Sequence, residues 1–392
     1  MIVTFAPDRD RRRLTSGRTP ILLQGMGARF IVWAWVLAAA VLTSAAGAAE
    51  EKRLNIYNWS DYIADNTVPD FEKATGIQVN YDVYDSNEVL EAKLLAGKSG
   101  YDLVVPTASP FLARQIKAKV YRKLDKSKLT NYGNLEKSIL AEVANADPGN
   151  LYGVPYLWGT TGVGYNIDKV KAALGDKAPT DSLALLFDPE NAKKLASCGI
   201  SLLDTAQEVF PAALAYLGKN PTSKDPKDLE AAVAVITKIR PYIKKFNSSE
   251  YINDLANGDL CIVLGYSGDV IQARSRASDA KNGVQIAYTI PKEGAQLGTD
   301  MMAIPADAKH PENAELFMNF ILRPEIVAAI TDTVGYPNPN AKATALVQDD
   351  IKSDPTIYPP EAIRAKFYFD KPAAADYERQ RTRAWTRVKS GT

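Results

Sequence analysis

The sequence predicts an α/β fold built from two lobes. Segments typical of strands alternate with segments typical of helices along most of the chain. The run 152–165 is extended but rich in Gly and Thr, which fill a buried sheet poorly, so we expect it to cross between lobes. A predicted leader of 48 residues leaves 392 − 48 = 344 residues, more than a single hydrophobic core usually serves.

The leader is predicted from a three-part pattern typical of secretory signals. Arg29 precedes the apolar stretch 30–41, and the small residues Ala46-Gly47-Ala48 then form a cleavage pattern. An uncleaved membrane anchor is the alternative, because residues 30–49 are about long enough to span a bilayer. Residues 1–25 are either an extended leader or a start assigned too early, with Met26 as the true start. We expect a product free in the periplasm.

Removing the leader makes the remaining chain slightly acidic. Residues 1–48 contain six Arg against Asp8 and Asp10, a net charge of +4, so the remainder of a chain with charge +1 carries +1 − 4 = −3. A slightly acidic chain without a basic tract is a poor nucleic-acid binder. We therefore expect no nucleic-acid partner.

The first α/β unit follows the leader. Residues 77–83 carry apolar side chains at every second position after a helix that Gly76 ends, and Ser86 caps a helix that runs to Gly97. A strand is predicted at 101–106, with helices at 111–119 and 135–145.

The second unit begins near residue 181. Helices are predicted at 206–217 and 228–240, a strand at 260–265 and a returning strand at 286–290, followed by a short strand at 301–305 and a helix at 311–322. This alternation favours parallel sheets covered by helices. A cleft between two such lobes is a favoured position for a ligand.

Cys198 and Cys261 are the two cysteines of the chain. Because an exported protein meets an oxidising compartment, we predict a disulfide between them, with two buried free thiols as the alternative. Neither arrangement makes them catalytic.

The chain has one histidine, His310, which is predicted to be solvated or to cap the helix that follows. Without a second histidine or a free thiol, Ser-His and Cys-His catalysis are disfavoured, and zinc sites lack ligands. We therefore expect no enzyme, no metal and no cofactor.

The segment Trp59-Ser60-Asp61-Tyr62 places an indole, a carboxylate and a phenol where an apolar strand ends. A carboxylate supplies the counter-charge that an ammonium group needs when it leaves water, and aromatic faces attract cations. The segment therefore suits an organic cation.

Three segments of the sequence carry a resemblance to a known family: IYNWSDYI at 56–63, YINDLANGD at 251–259 and RTRAW at 381–385. With them the chain closely resembles the periplasmic polyamine-binding proteins of bacterial ABC importers, putrescine binders in particular. The resemblance implies a type II periplasmic-binding-protein fold with two discontinuous lobes, residues 49–157 with 288–330 and residues 158–287 with 331–392. It also implies a monomer that delivers its polyamine to the permease subunits of an ABC transporter.

The resemblance also implies a set of ligand-binding residues. These are Trp59, Ser60, Asp61, Tyr62, Thr107, Ser109, Glu208, Ser248, Tyr266, Asp269, Asp300 and Tyr336. Asp61, Asp269 and Asp300 are expected to contact ammonium groups, and Glu208 is expected to anchor the other end of the ligand. Three of the acids also have structural interpretations: Glu208 as a first-turn acid, Asp269 as a helix cap and Asp300 as a turn residue.

Departures from the family pattern leave the amine open. Gly298 stands where the family usually has an aromatic residue, Tyr266 stands where it often has Trp, and Thr205 stands where spermidine binders have a further acid. Putrescine is expected, with spermidine, agmatine and cadaverine as alternatives. An exported carboxylate-dependent hydrolase is the alternative from another class.

Overall fold

The computed structural model describes residues 50–391, so the predicted leader lies outside the described residues. Within that part of the chain, ten strands form one sheet. The strands are β1 Arg53–Trp59, β2 Gln78–Tyr84, β3 Leu103–Val104, β4 Gly153–Asn166, β5 Ile200–Leu202, β6 Lys245–Phe246, β7 Ile262–Tyr266, β8 Ile286–Thr289, β9 Ala295–Ala303 and β10 Phe367–Tyr368.

Helices cover the sheet. They are α1 Thr67–Thr75, α2 Asn87–Leu95, α3 Ala113–Lys117, α4 Lys137–Val143, α5 Ile167–Leu174, α6 Ala184–Phe187, α7 Pro189–Leu195, α8 Ala206–Tyr216, α9 Pro226–Ile239, α10 Tyr251–Ala256, α11 Ser267–Ala280, α12 Pro311–Ile321, α13 Pro324–Val334, α14 Asp349–Lys352, α15 Glu361–Arg364 and α16 Ala375–Ser390. Between residues 50 and 391, none of them combines the length and apolar character that crossing a bilayer requires.

The sheet has the strand order β2-β1-β3-β9-β4-β7-β5-β6, with β8 beside β4 and β10 beside β9. We call β1 to β3 with α1 to α4 the first half, and β5 to β8 with α5 to α11 and α16 the second half. The predicted parallel pairing is correct within the flanks, where β1 pairs with β2 and β3, and β5 pairs with β6 and β7. It is wrong at the centre, because β4 runs antiparallel to β7, β8 and β9, and β9 runs antiparallel to β3.

The long strand β4 joins the two halves of the sheet. Its first part, from Gly153 to Thr161, pairs with β9, and its last part pairs with β7 and β8 of the second half. The pairing with β9 shifts register between Pro155 and Trp158. Residues near the middle of β4 and β9 therefore lie where the halves meet.

Local signals fix several elements as predicted. Gly76 ends α1 in the left-handed conformation, with φ 71°, and the Ser86 hydroxyl accepts a hydrogen bond from the Val89 amide at the start of α2. One strand is longer than predicted: β9 begins at Ala295, not at residue 301. Gly298 and Thr299 resemble a turn in sequence, but their backbone pairs with β4, so Asp300 lies in a strand and not in a turn.

The predicted disulfide is confirmed. Cys198 and Cys261 are bonded, with 5.4 Å between their Cα atoms. Cys198 lies two residues before β5, and Cys261 lies directly before the neighbouring parallel strand β7. The bond therefore links two strands of the second half.

His310 occupies the N-cap position of α12, as one of the two expectations had it, but its side chain makes no capping hydrogen bond, and the expectation of a solvated residue is wrong. The side chain is buried, and its Nδ1 atom lies 2.9 Å from Asp102 Oδ2. Asp102 also accepts the backbone amides of Lys309 and His310, so the pair supports the start of α12.

Candidate functional site

A small cavity lies where the two halves meet. It holds about 60 Å³ and is lined by Trp59, Ser60, Tyr62, Asn87, Thr107, Gly159, Thr161, Glu208, Tyr266, Asp269, Gly298, Asp300 and Tyr336. Nine of these were predicted from the sequence. Since a water molecule needs roughly 10–15 Å³ on this measure, the space is large enough for a small guest.

Asp300 projects from β9 and is held by hydroxyl groups of the first half. Tyr62 donates to its Oδ2 atom at 2.8 Å, and Thr107 donates to its Oδ1 atom at 2.6 Å. Asn87 in turn donates to the Thr107 hydroxyl at 2.9 Å. Burial raises the pKa of the Asp300 carboxyl to about 6, although these hydroxyl groups oppose the rise.

Asp269 lies in the first turn of α11, in the second half. The Tyr251 hydroxyl donates to Oδ2 and the Tyr336 hydroxyl to Oδ1, both at 2.7 Å. Burial raises the pKa of Asp269 to about 7, against the lowering effect of the two tyrosines. Its carboxylate is therefore fixed in position by two phenols.

Glu208 lies in the first turn of α8 and is held by the two strands that join the halves. Thr161 of β4 donates to Oε2 at 2.6 Å, and Gln296 of β9 donates to Oε1 at 2.8 Å. Burial raises the pKa of Glu208 to about 8, and the carboxylates of Asp370 and Glu88 add to the rise. Gln296, Gly298 and Asp300 share one face of β9, so Gly298 lies between the Glu208 end and the Asp300 end of the cavity.

All three acids have neutral hydrogen-bond donors. None of the three forms an ion pair with a Lys or Arg among residues 50–391. A buried carboxylate without a counter-charge is costly, and this cost is why the three pKa values rise. The cavity therefore favours a cation that brings positive charge to these carboxylates.

Aromatic rings form the walls between the acids. The Tyr62 and Tyr336 rings pack edge to face with centroids 4.8 Å apart, and Trp59 and Tyr266 do the same at 6.1 Å. The Trp59 ring is oriented by its Nε1 atom, which donates to the Val105 carbonyl at 2.9 Å. Such walls suit methylene groups along their faces and cationic groups over their rings.

Two glycines leave the space that Tyr336 occupies. A Cβ atom on Gly268 would lie 2.0 Å from Tyr336 Cδ2, and one on Gly159 would lie 2.7 Å from Tyr336 Cε1. Any larger residue at either position would displace the ring, and with it the hydroxyl that holds Asp269.

Three predicted residues do not line this cavity. Asp61 has a left-handed backbone, with φ 54°, and its carboxylate pairs with Arg276 of α11 at 2.5 Å. The Ser109 hydroxyl donates to the Asp370 carbonyl at 2.6 Å, and the Ser248 hydroxyl accepts the Asp204 amide at 3.0 Å. The structure thus gives these side chains protein partners outside the cavity lining, and the ammonium contact expected of Asp61 stays a prediction.

Sequence reasoning missed Asn87, Thr161 and Gly159 as lining residues, and Gln296 behind Glu208. Thr161 and Gly159 belong to a run that the sequence did single out as a crossing, so its Gly and Thr content was the available signal. Asn87 and Gln296 carry no such signal, because only the tertiary contacts with Thr107 and Glu208 reveal their roles.

The donor set of the cavity does not resemble a metal site. Among the described residues, no group of three or more His, Cys, Asp and Glu side chains is arranged to hold a metal ion. The three acids of the cavity are instead each oriented by hydroxyl or amide groups of the protein.

Comparisons with known proteins show which proteins the chain is similar to. The putrescine-binding periplasmic protein SpuD of Pseudomonas aeruginosa strain UCBPP-PA14 is 57% identical over 359 residues, 91% of this chain and 98% of that protein. The putrescine-binding periplasmic protein PotF of Escherichia coli K12 is 55% identical, over 88% of this chain and 93% of that protein. The crystal structure of the spermidine/putrescine ABC transporter substrate-binding protein PotD of Streptococcus pneumoniae matches with a TM-score of 0.70 and 29% identity, over 87% of this chain and 99% of that one.

These similarities support the predicted fold class, since the matched structure is a substrate-binding protein of an ABC transporter and the described chain is a mixed α/β sheet. A family model described as bacterial extracellular solute-binding protein matches residues 66–359. The chain therefore belongs to the family of bacterial extracellular solute-binding proteins.

Proposed function

We propose that the protein captures a short polyamine, putrescine foremost, in the periplasm and delivers it to the permease subunits of an ABC importer. The observation that carries this proposal is the set of three carboxylates that lack a protein counter-charge, on the buried Asp269 and on the half-buried Glu208 and Asp300. The names and identities of the relatives support the same ligand class.

A diamine meets the needs of the cavity at both ends. Its ammonium groups supply the missing positive charge, and the acids are already oriented by Tyr62, Thr107, Tyr251, Tyr336 and Thr161. Each buried methylene contributes about 0.8 kcal/mol, so a four-carbon chain contributes about 3 kcal/mol. A cation over a desolvated ring adds about 1–2 kcal/mol.

Selectivity for charge follows from the same acids. A neutral guest forgoes the pairing with these carboxylates, so a cation binds more tightly, by an order of 2–5 kcal/mol per close charge pair. Amines compete through length and shape instead.

Gly298 is the residue that sets the choice among amines. Its missing side chain leaves the space beside Thr107 open, since a Cβ there would meet only Thr107 Cγ2, at 3.6 Å. The small overall volume of the cavity favours putrescine. The room beside Gly298 makes this cavity more favourable to agmatine or cadaverine than the cavity of a family member that has an aromatic residue at this position. Tyr266 is narrower than Trp and adds to that room.

Capture requires that the halves separate to admit the amine. We propose the lobes to be residues 49–157 with 288–330 and residues 158–287 with 331–392, joined through β4 and β9. Binding of the amine shifts the population toward the closed arrangement, in which the acids of both halves surround it. The closed monomer then docks on the permease.

Calorimetry with putrescine, spermidine, agmatine and cadaverine tests the proposal. We expect saturable binding of at least one diamine, and indifference to all four amines would refute the proposal. The variant Asp300→Asn should lower diamine affinity by about a hundredfold, because it removes a buried charge partner. Asp82→Asn is the matched control, since Asp82 is exposed and bonds to Tyr101 outside the cavity.

A further inference from the structure

The segment 251–259 carries part of the family resemblance, yet none of its residues lines the cavity. Its first residue, Tyr251, begins α10 and is buried, with 1% of its surface exposed. The ring packs against β7, where a Cβ atom on Gly265 would lie 2.8 Å from Tyr251 Cε2. Gly265 therefore leaves the space that the Tyr251 ring occupies.

The Tyr251 hydroxyl joins two residues that do line the cavity. It accepts a hydrogen bond from the Tyr266 backbone amide at 2.9 Å and donates to Asp269 Oδ2 at 2.7 Å. Because a backbone amide can only donate, it occupies an acceptor position of the phenol oxygen and leaves the single phenolic proton for the carboxylate. Each bond in such a chain polarises the next, which strengthens the donation to Asp269.

The same short helix contacts α11 at a second point. Asn253 Oδ1 accepts a hydrogen bond from Arg276 Nη1 at 2.7 Å, and Arg276 also pairs with Asp61 of the first half. Asp269 and Arg276 both belong to α11. The start of α10 therefore holds one side chain of α11 in the cavity and another at the contact between the halves.

We propose that Tyr251 is a positioning residue of the binding site, whose hydroxyl favours the ionised form of Asp269 and fixes the carboxylate where it pairs with an ammonium group of the ligand. The identity of that ligand rests on the proposed function. Tyr336 donates to the other oxygen of Asp269, but its ring lines the cavity and meets the ligand itself. Tyr251 does not line the cavity, so it acts on the ligand only through Asp269 and Tyr266.

Several titratable groups of the described chain face Asp269 from the surrounding elements. They are Asp61, Tyr62, Tyr251, Tyr266, Arg276 and Tyr336. Burial raises the pKa of the Asp269 carboxyl to about 7, the hydrogen bonds from Tyr251 and Tyr336 oppose this rise, Asp61 adds to it and Arg276 opposes it. Removing the Tyr251 hydroxyl leaves the other groups in place, so the pKa of Asp269 should rise further.

Two measurements on Tyr251→Phe, which keeps the ring and removes the hydroxyl, test the assignment. Carbon-13 NMR titration of the Asp269 carboxyl in the ligand-free protein measures its pKa, and calorimetry with putrescine at about pH 6 and about pH 8.5 measures affinity on either side of that pKa. Comparing proteins at the same pH cancels the titration of the amine. Tyr121→Phe is the matched control, because Tyr121 is also buried and donates to Gln115 at 2.6 Å but does not line the cavity. Thermal melts verify that both variants fold.

The expected result is a loss of affinity that depends on pH. Tyr251→Phe should raise the pKa of Asp269 by about 1 and lower putrescine affinity about tenfold at about pH 6, because a hydrogen bond to a charged group is lost. At about pH 8.5 the loss should shrink to less than about threefold, since the carboxyl is then largely ionised in both proteins. Tyr121→Phe should leave the pKa of Asp269 and the affinity unchanged.

The other outcomes separate this assignment from the proposed function. An unchanged pKa of Asp269 in Tyr251→Phe, or an affinity loss that is absent or equal at both pH values, would show that Tyr251 only packs, and the assignment would be wrong while the proposed function stands. If the wild-type protein binds no amine although Tyr251→Phe raises the pKa of Asp269, the proposed function is wrong and the hold of Tyr251 on Asp269 remains.

Discussion

Asp61 and Arg276 form an ion pair between the two halves, with 2.5 Å between Oδ1 and Nη2. Gln272 of the same helix donates to the Asp61 carbonyl at 3.1 Å, so both the side chain and the backbone of Asp61 are attached to α11. About a third of each side chain of the ion pair remains exposed, which limits its strength. The pair therefore favours the arrangement in which the halves are together, without touching the cavity.

This arrangement predicts how Asp61 affects binding. Asp61→Asn and Arg276→Gln should each lower diamine affinity by about two- to fivefold, and the double variant should lower it no further, because both remove the same exposed ion pair. Calorimetry on the three variants measures this coupling. Arg323→Gln, which breaks the exposed pair with Glu325, is the control. A much larger loss for Asp61→Asn than for Arg276→Gln would instead support the sequence-based hypothesis that Asp61 contacts an ammonium group.

The Tyr336 ring gives a prediction about the glycines around it. Gly268→Ala should abolish measurable diamine binding and lower stability by about 1–3 kcal/mol, because its Cβ would overlap the Tyr336 ring and displace the hydroxyl that holds Asp269. Thermal melts and calorimetry measure the two effects. Gly133→Ala is the control, since nothing lies within 4 Å of a Cβ at that position. Undiminished binding by Gly268→Ala would show that the position of Tyr336 is not needed.

The sequence predicts the elements of this fold well where local signals are strong. Gly76, Ser86 and the period-two apolar pattern place α1, α2 and β2 close to their observed bounds. β9 was placed too late, because a Gly-Thr-Asp run resembles a turn until its pairing with β4 is known. Local propensity does not contain that pairing, since it depends on residues distant in sequence.

The candidate site, too, could be predicted only in part from the sequence. Residue chemistry and the family resemblance identified nine lining residues, and tertiary structure supplied the rest. Asp61 and Ser109 carry the right chemistry, but each is bonded to a protein partner that sequence cannot reveal, Arg276 in one case and Asp370 in the other. Glu88 of α2 likewise accepts a hydrogen bond from Thr205, the residue before α8, which lies 117 positions later in the sequence.

The disulfide predicts a loss of stability without a loss of affinity. Replacing Cys198 and Cys261 together by Ser should lower the free energy of unfolding by up to roughly 4 kcal/mol, the loop-entropy value for a separation of 63 residues. Putrescine affinity should remain within about twofold, because the bond fastens β5 to β7 and neither cysteine lines the cavity. Chemical denaturation and calorimetry measure the two quantities. An affinity loss as large as that of Asp300→Asn would show instead that the bond shapes the cavity.

The raised pKa values predict that binding of a diamine releases protons. The carboxyl pKa values rise from ordinary values of 3.8 for Asp and 4.5 for Glu to about 6 in Asp300, about 7 in Asp269 and about 8 in Glu208. Because a dication favours the charged carboxylates, its affinity should increase as pH rises from about 5 to about 8. Calorimetry at pH 6 in two buffers of different ionisation enthalpy counts the protons released.

The same shifts set the pH dependence of stability in the ligand-free protein. Between the unfolded and folded pKa values the folded state binds more protons than the unfolded state, so ν_U − ν_N is negative and the free energy of unfolding falls as pH rises. The contribution of these acids is fully present below about pH 4 and is lost as pH rises through about 6 to 8. Glu208→Gln should remove the part of this decline between about pH 7 and 8, whereas Asp82→Asn should leave it intact. Chemical denaturation across this range measures the slope, and a free protein whose stability rises with pH there would contradict burial as the cause of the shifts.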